Sequence, residues 1–229
     1  MKITILTLFP EMFTGPFDHS IIKRAIDKNI AQVKFINIRD FGIGKHNTVD
    51  DRPFGGGAGM ILKADVLFNA IKKAKIKKLK NNEQKVFLLS AHGEQFNWKR
   101  AEKLSKLKHL ILICGHYEGF DERIKKFIDG EISIGDFILT GGEIPAMLIT
   151  DSIIRLLPGV IKQGAAVSES FFSNLEHPHY TQPRTFKNMS IPEILLSGNH
   201  KEIEKWRKEQ SLKITSKLRP DLIKNIKKE

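Results

Sequence analysis

The sequence has only one cysteine, Cys114, and no long uninterrupted apolar segment. A lone cysteine cannot form an intramolecular disulfide, and its place directly after the apolar residues 110–113 favours a small buried thiol. No window approaches the roughly 18 apolar residues of a transmembrane helix, and the apolar run at the N-terminus is too short for a secretory signal. We therefore expect a soluble, cytoplasmic protein with no membrane partner.

Acidic residues are also scarce relative to basic ones. The chain holds 38 Lys and Arg against 26 Asp and Glu, a formal charge of +12. Such an excess favours a polyanionic partner, nucleic acid first, because each neutralised phosphate releases counterions. Much of the excess lies in lysine runs such as residues 72–78, which could equally be a solvated helix face. Charge alone leaves both interpretations open.

The apolar pattern predicts an α/β fold. Three short apolar runs, residues 3–9, 86–89 and 110–114, have the length of buried strands. Helical spacing covers residues 64–74 and 97–107, with Asn97 as the N-cap of the second helix. Alternating strands and helices indicate a largely parallel sheet.

The composition and periodicity of the sequence change after about residue 159, and we predict three parts. Residues 1–161 form the α/β domain, residues 162–176 a linker or active-site loop, and residues 177–229 a small helical domain. In the last part, Asn199 and Glu202 approximate a capping box that begins a long helix. No internal repeat is present.

The densest chemical signal is the glycine-rich segment 48–60, which has four glycines in five positions at 55–59. This density lets the backbone approach a ligand or another chain closely. The segment is neither a Walker loop, since no Gly-Lys-Ser/Thr follows, nor a dinucleotide fingerprint, since its spacing is wrong. A flexible surface loop is the alternative.

Two further glycine-containing segments, 114–123 and 133–146, adjoin apolar runs. The first follows a predicted strand, where ligands of α/β sheets usually bind, and its Glu118 could hold a cationic group. The triplet Asp121-Glu122-Arg123 is better explained as the start of a helix. In segment 133–146, freed backbone groups could bind an adenine edge, although a hairpin or a strand-to-helix turn explains the pattern equally well.

Together the three segments resemble the bacterial tRNA (guanine-N1)-methyltransferase family of the SPOUT class. Residues 177–183, residues 191–200 and the pair Trp206-Arg207 are similar to the same family in order and spacing, so the resemblance covers essentially the whole chain. It implies an α/β fold whose parallel sheet carries a deep C-terminal trefoil knot, followed by a small all-helical domain. It also implies a tRNA substrate, S-adenosylmethionine as methyl donor and a homodimer with a shared active site.

The resemblance further implies which residues act. The reaction that it implies is methylation of N1 of the guanosine at tRNA position 37, immediately 3′ of the anticodon. Glu169 would remove the N1 proton and Arg155 would stabilise charge on O6, although a helix ion pair with Asp151 is the alternative for Arg155. Magnesium is associated with the family, but no convincing carboxylate cage is visible and we predict no metal ligands. The cofactor would be held by Leu88, Leu89, Ser90, Ala91, Gly115, Tyr117, Glu118, Gly119, Ser133, Ile134, Gly135, Asp136, Phe137, Ile138, Leu139, Gly141, Gly142 and Pro145.

Several positions depart from the family pattern. His116 and Gln182 stand where arginine is usual, which removes two fixed positive charges. Glu169 stands where the proposed base is usually aspartate, so the carboxylate is kept but lies one methylene further from the backbone. The smaller departures are Phe54 and Phe137 for tyrosine and Thr140 for serine.

Two other functions are compatible with parts of the sequence. A SPOUT methyltransferase acting on ribosomal RNA or on another tRNA position would share the cofactor half, but segments 177–207 favour the guanine-N1 family. An RNA-binding module without enzymatic activity would explain the basic charge. It would not need the glycine-dense segments.

Overall fold

The computed structural model describes residues 1–226, and the side chains of all of these except 167, 168 and 224–226. The chain forms two compact units, Met1–Lys162 and Gln163–Glu229. No helix among the described residues is both long and apolar enough to cross a membrane.

The first unit is built on a five-stranded parallel sheet, as the alternation of apolar runs predicts. Its strands follow the order β2-β1-β6-β5-β7. A separate antiparallel pair joins β3 to β4. The bounds are β1 Lys2–Thr7, β2 Gln32–Asn37, β3 Asp50–Asp51, β4 Ile61–Leu62, β5 Gln84–Gln95, β6 His109–Ile113 and β7 Gly130–Ser133. Every residue of β6 is buried, because this strand lies at the centre of the sheet with helices on both faces.

Helices cover both faces of this sheet. They are α1 Ser20–Asp27, α2 Ala64–Ala74, α3 Trp98–Ser105 and α4 Glu143–Ile154, with 3₁₀ helices at Pro10–Phe13, Ile38–Phe41 and Glu122–Phe127. Helices α1, α3 and α4 pack on one face and α2 on the other. Asn97 caps α3 as expected, since its Oδ1 accepts a hydrogen bond from the Arg100 N–H at 2.9 Å. Cys114 is completely buried, which confirms the interpretation of the lone thiol.

The second unit is mainly helical and also contains a two-stranded hairpin. Its elements are α5 Ala165–Ser168, β8 Thr185–Phe186, β9 Met189–Ser190, a 3₁₀ helix at Glu193–Leu196, α6 His200–Leu218 and α7 Pro220–Ile226. Asn199 is the N-cap of α6, and its Oδ1 accepts a hydrogen bond from the Glu202 N–H at 3.3 Å. Buried Thr215 accepts a hydrogen bond from the Leu175 N–H at 2.9 Å, and Ser211 donates to the Leu175 carbonyl at 2.6 Å. These bonds fix the preceding loop against α6.

Candidate active site

A cavity of about 520 Å³ lies at the carboxyl ends of β5, β6 and β7. It is walled by three chain segments that leave these strands, near Leu89, Gly115 and Ser133. This is the edge of a parallel sheet at which ligands of α/β proteins bind, and the volume is that of a small-molecule pocket. The structure therefore brings the three strand-end segments into one site.

Most residues predicted to hold a cofactor line this cavity. They are Leu89, Ser90, Ala91, Gly115, Tyr117, Glu118, Gly119, Ser133, Ile134, Gly135, Phe137, Ile138, Leu139, Gly141, Gly142 and Pro145. Leu88 and Asp136 are not part of the wall. Leu88 belongs to the buried cluster on the opposite face of the sheet, because neighbouring side chains of a strand point to opposite faces. Asp136 is exposed beside the cavity-lining Gly135 and Phe137.

Further residues complete the wall without having been predicted. The unpredicted residues are His92, His116, Phe120, Glu122, Lys125, Glu131, Ile132 and Thr140. Three of them form a charged rim, in which the Lys125 Nζ atom lies 3.0 Å from carboxylate oxygens of both Glu122 and Glu131. Glu122 and Lys125 stand three residues apart on the 3₁₀ helix after Asp121, so their pairing was visible in the sequence. The pairing of Lys125 with Glu131 on β7 was not visible, because it depends on the fold.

Two of the glycine turns meet directly beneath the cavity. The Gly142 N–H donates a hydrogen bond to the Gly115 carbonyl at 2.9 Å. A Cβ atom added to Gly142 would lie 2.6 Å from the Cα of Cys114, which no real side chain tolerates. Glycine at this position is therefore required by the contact between the two turns. Segment 133–146 proves to be a strand-to-helix turn, since β7 ends at Ser133 and α4 begins at Glu143.

A buried carboxylate stands behind the same wall. Glu143 is 1% exposed; its Oε1 accepts a hydrogen bond from Thr7 Oγ1 at 2.5 Å, and its Oε2 accepts one from His116 Nε2 at 2.7 Å. A Cβ atom on Gly141 would meet the His116 ring and would lie 2.6 Å from Glu143 Oε2. Gly141 is thus glycine because this pair of side chains fills the space, in addition to its place in the cavity wall.

The glycine-rich segment 48–60 runs beside the loop that follows β6. The Glu118 N–H donates to the Met60 carbonyl at 3.0 Å, and the Leu62 N–H donates to the Gly119 carbonyl at 2.9 Å. A Cβ on Gly59 would lie 2.5 Å from Glu118 Cγ, and the φ of +82° at Gly59 is a conformation that favours glycine where the two segments touch. The structure therefore joins the first two motifs, although the glycine-rich segment does not itself line the cavity.

The outer part of that segment is open to solvent. Gly55, Gly56 and Gly57 all have positive φ, the first two have free space around the missing Cβ, and Phe54 is fully exposed. Nearby, Tyr117 has a φ of +59° and a raised pKa, because burial and the neighbouring Asp50 carboxylate both disfavour the phenolate.

The two predicted catalytic residues do not line this cavity. Arg155 caps the C-terminal end of α4, where its N–H donates to the Asp151 carbonyl at 3.1 Å. The cavity residue Pro145 lies in the first turn of the same helix, ten residues earlier and about 15 Å away along the axis. Glu169 belongs to the second unit, directly after α5.

Asp121 has a structural role, as the sequence indicates. Its Oδ1 accepts a hydrogen bond from the Arg123 N–H at 3.0 Å at the start of the 3₁₀ helix, and its carboxylate pairs with the Arg123 guanidinium. This hydrogen-bonded pairing lowers the pKa of Asp121. Within residues 1–226, no group of three or more His, Cys, Asp or Glu side chains is arranged to hold a metal ion.

Comparison with known proteins identifies one family. The profile described as tRNA (Guanine-1)-methyltransferase TrmD matches residues 1–225. The chain is 53% identical to a tRNA (guanine-N(1)-)-methyltransferase of Dictyoglomus turgidum over 97% of its own length and 90% of that protein. Proteins of the same name from Staphylococcus epidermidis and Bacillus cereus are 54% and 50% identical, over 97% of this chain and 91% and 92% of theirs.

Proposed function

The chain belongs to the tRNA (guanine-1)-methyltransferase family, and from this premise we propose that it transfers a methyl group from S-adenosylmethionine to N1 of the guanosine at tRNA position 37. The family membership confirms the resemblance carried by the glycine-rich segments. The observation that carries the proposal is the 520 Å³ cavity formed by three strand-end segments. The names of the relatives specify guanine N1 in tRNA, and position 37 and the methyl donor are the parts that we add.

The cavity fits a molecule that combines a nucleoside with a charged amino-acid end. Apolar side chains such as Leu89 and Ile134 line it beside glycine turns whose backbone groups can bond a base edge. Glu118 lines the cavity, and in this proposal its carboxylate binds the cationic group. S-adenosylmethionine supplies a methyl group already activated on a sulfonium, and the reaction needs no metal for that activation.

The proposed chemistry assigns one task to each of two side chains. Guanine N1 carries a proton at neutral pH, so it attacks well only when a base takes that proton as the N1–methyl bond forms. Glu169 is this base in the proposal. The negative charge that spreads to O6 is stabilised by the guanidinium of Arg155, more strongly in the transition state than in the ground state.

The position of Arg155 supports an active site shared between two copies of the chain. It lies about 15 Å along α4 from the cavity wall at Pro145, which favours a role for its guanidinium in the cavity of another copy. Apolar side chains on the same unit provide a surface for a second copy. Phe9, Met12, Ile144 and Leu148 are all at least 39% exposed, and the first three line a common hollow.

The remaining parts of the proposal follow the family. The sheet carries a deep trefoil knot, residues 162–176 form the active-site loop, and residues 177–229 bind tRNA, with the last three lying outside the described residues. The net charge of +12 supports an RNA substrate.

Equilibrium dialysis with labelled S-adenosylmethionine tests the cavity assignment. We expect saturable binding that Ala91→Trp abolishes, because the indole would fill a cavity whose wall includes Ala91. Ala58→Trp is the matched control, since Ala58 is exposed and outside the cavity. Equal binding by both variants would contradict the assignment of the cavity and place the cofactor elsewhere. Absence of binding by the unaltered protein would favour an RNA-binding module without enzymatic activity.

A further inference from the structure

A cluster of six lysines lies at the end of α2 and in the turn that follows. This lysine surface comprises Lys72, Lys73, Lys75, Lys77, Lys78 and Lys80, all of them exposed. The interval 72–80 contains no acidic residue. None of the six makes a side-chain ion pair with a carboxylate in the described part of the chain. The surface therefore presents six uncompensated charges within nine residues.

The acidic residue nearest to these lysines in the sequence, Glu83, already has a partner for its charge. Glu83 forms an ion pair with Lys108 Nζ at 2.5 Å and accepts a hydrogen bond from the Lys80 backbone N–H at 2.9 Å. It thus stabilises the backbone of the turn while its charge is balanced from outside the lysine surface.

The backbone that carries the lysines is fixed by a buried amide. Gln84, 7% exposed, accepts a hydrogen bond from the Ile76 N–H at 3.0 Å and donates one to the Ile76 carbonyl at 3.1 Å. The Leu79 N–H also donates to the Ile76 carbonyl at 3.1 Å. Lysines that only interact with solvent do not need a fixed backbone. A binding surface benefits from one, because less conformational entropy is then lost when the complex forms.

The lysine surface lies at the opposite end of the sheet from the cavity. Strand β5 begins at Gln84, next to the lysines, and its Leu89 lines the cavity five residues later. At about 3.3 Å per residue, the two sites are roughly 17 Å apart along the strand. A polyanion that extends over about 17 Å or more would reach both.

We propose that the lysine surface binds the phosphate backbone of the tRNA substrate away from the guanosine that is methylated. This inference rests on the proposed function, because that function sets the reacting base in the cavity. Lysines are flexible point charges that suit phosphates without reading bases, so they would add affinity and orientation but no sequence preference.

Two charge-matched variants test the proposal. One replaces Lys72, Lys73, Lys77 and Lys78 by glutamine, and the other replaces Lys23, Lys28, Lys34 and Lys103, which are exposed elsewhere on the first unit. Both lose four positive charges, so general attraction to RNA falls equally. Affinity for full-length tRNA transcript is measured at several salt concentrations, and again for a short hairpin that holds only the anticodon loop and adjoining base pairs.

We expect the Lys72 set to bind full-length tRNA roughly tenfold to a hundredfold more weakly than the control set in 0.1 M salt, with a log–log salt slope smaller by about 3. The two sets should bind the hairpin alike. Equal affinity and slope for full-length tRNA would overturn the proposal and leave an acidic protein partner or simple solvation as the role of the lysines. An equal loss with both RNAs would contradict the remote contact. Failure of the unaltered protein to form 1-methylguanosine would instead overturn the proposed function.

Discussion

The Nε2 atom of His116 lies 2.7 Å from Oε2 of Glu143, a carboxylate whose other oxygen is bound by the hydroxyl of Thr7. His116→Ala would leave this buried carboxylate with one partner, and we expect the free energy of unfolding to fall by about 3 kcal/mol. Adding Glu143→Gln should recover part of the loss, because the uncompensated charge is then removed. Urea unfolding of both single variants and the double variant measures the coupling.

An exposed ion pair is the control for that experiment. The Nζ atom of Lys106 lies 2.6 Å from Oε1 of Glu102, and the two side chains are 69% and 42% exposed. Lys106→Ala should cost less than about 1 kcal/mol, as surface pairs do. An equally small cost for His116→Ala would mean that the buried pair does not stabilise the turn behind the cavity.

The sequence predicted the regular elements well where local signals are strong. Asn97 and Asn199 cap the helices expected of them, because an N-cap amide acts on backbone groups only three residues away. Helix α2 has the predicted bounds, 64–74. Strand β2 was not predicted, since it is a sheet edge with a single buried residue, Ile36. Strand β7 was missed because it is only four residues long and begins with Gly130.

The candidate site was harder to predict from local sequence patterns than the helices and strands were. Strand-end glycines such as Gly115 marked the cavity wall, but the need for glycine at 141 and 142 depends on chain segments far away in sequence. Glu143 reads as an ordinary first-turn acid of a helix. Its burial and its pairing with His116 arise from tertiary structure alone.

A buried histidine should make stability depend on pH. His109 is fully buried, with Nε2 2.8 Å from Thr4 Oγ1, and burial followed by the charge of Lys2 lowers its pKa to about 4. Unfolding restores a pKa near 6.5, so the unfolded chain binds the extra proton between these values. Stability from this residue is present above about pH 6.5 and is lost towards pH 4.

We expect His109 to contribute a fall of about 2–3 kcal/mol in the free energy of unfolding between pH 7 and pH 4.5. His109→Gln should remove that part of the pH dependence in urea titrations, whereas His46→Gln, at an exposed position, should keep it. Identical pH curves for the His109 variant and the unaltered protein would contradict the role of burial.

Subunit mixing tests whether Arg155 acts in the cavity of the other copy. Gly141→Val should disable the cavity through its collision with His116 and Glu143, and Arg155→Ala should disable charge stabilisation. Each variant alone should be inactive. Mixed dimers combine an intact cavity on one chain with an intact Arg155 on the other, so co-refolding should restore about a quarter of the activity.

The control is a single chain that carries both substitutions, mixed with unaltered protein at the same ratio. Thermal unfolding of the Gly141→Val protein establishes that it is folded before mixing. If the mixture of single variants stays inactive although mixed dimers form, Arg155 does not act across the subunits.

The assignment of Glu169 as the base predicts a specific kinetic pattern. Glu169→Gln should lower the single-turnover rate by about 10² to 10⁴ while S-adenosylmethionine binding is little changed. Glu169→Asp should retain appreciable activity, since it keeps a carboxylate. Combining Glu169→Gln with Arg155→Ala should cost less than the product of the two effects, because both act on the same developing charge. A near-normal rate for Glu169→Gln would redirect the search to Asp50, Asp51 or Glu118.

Product analysis tests the central claim most directly. The protein is incubated with methyl-labelled S-adenosylmethionine and a tRNA transcript that carries guanosine immediately 3′ of the anticodon, or a matched transcript with adenosine there. The RNA is then digested and its nucleosides are identified by mass spectrometry. We expect 1-methylguanosine from the first transcript and no methylated nucleoside from the second. Label in another nucleoside, or equal labelling of both transcripts, would contradict it.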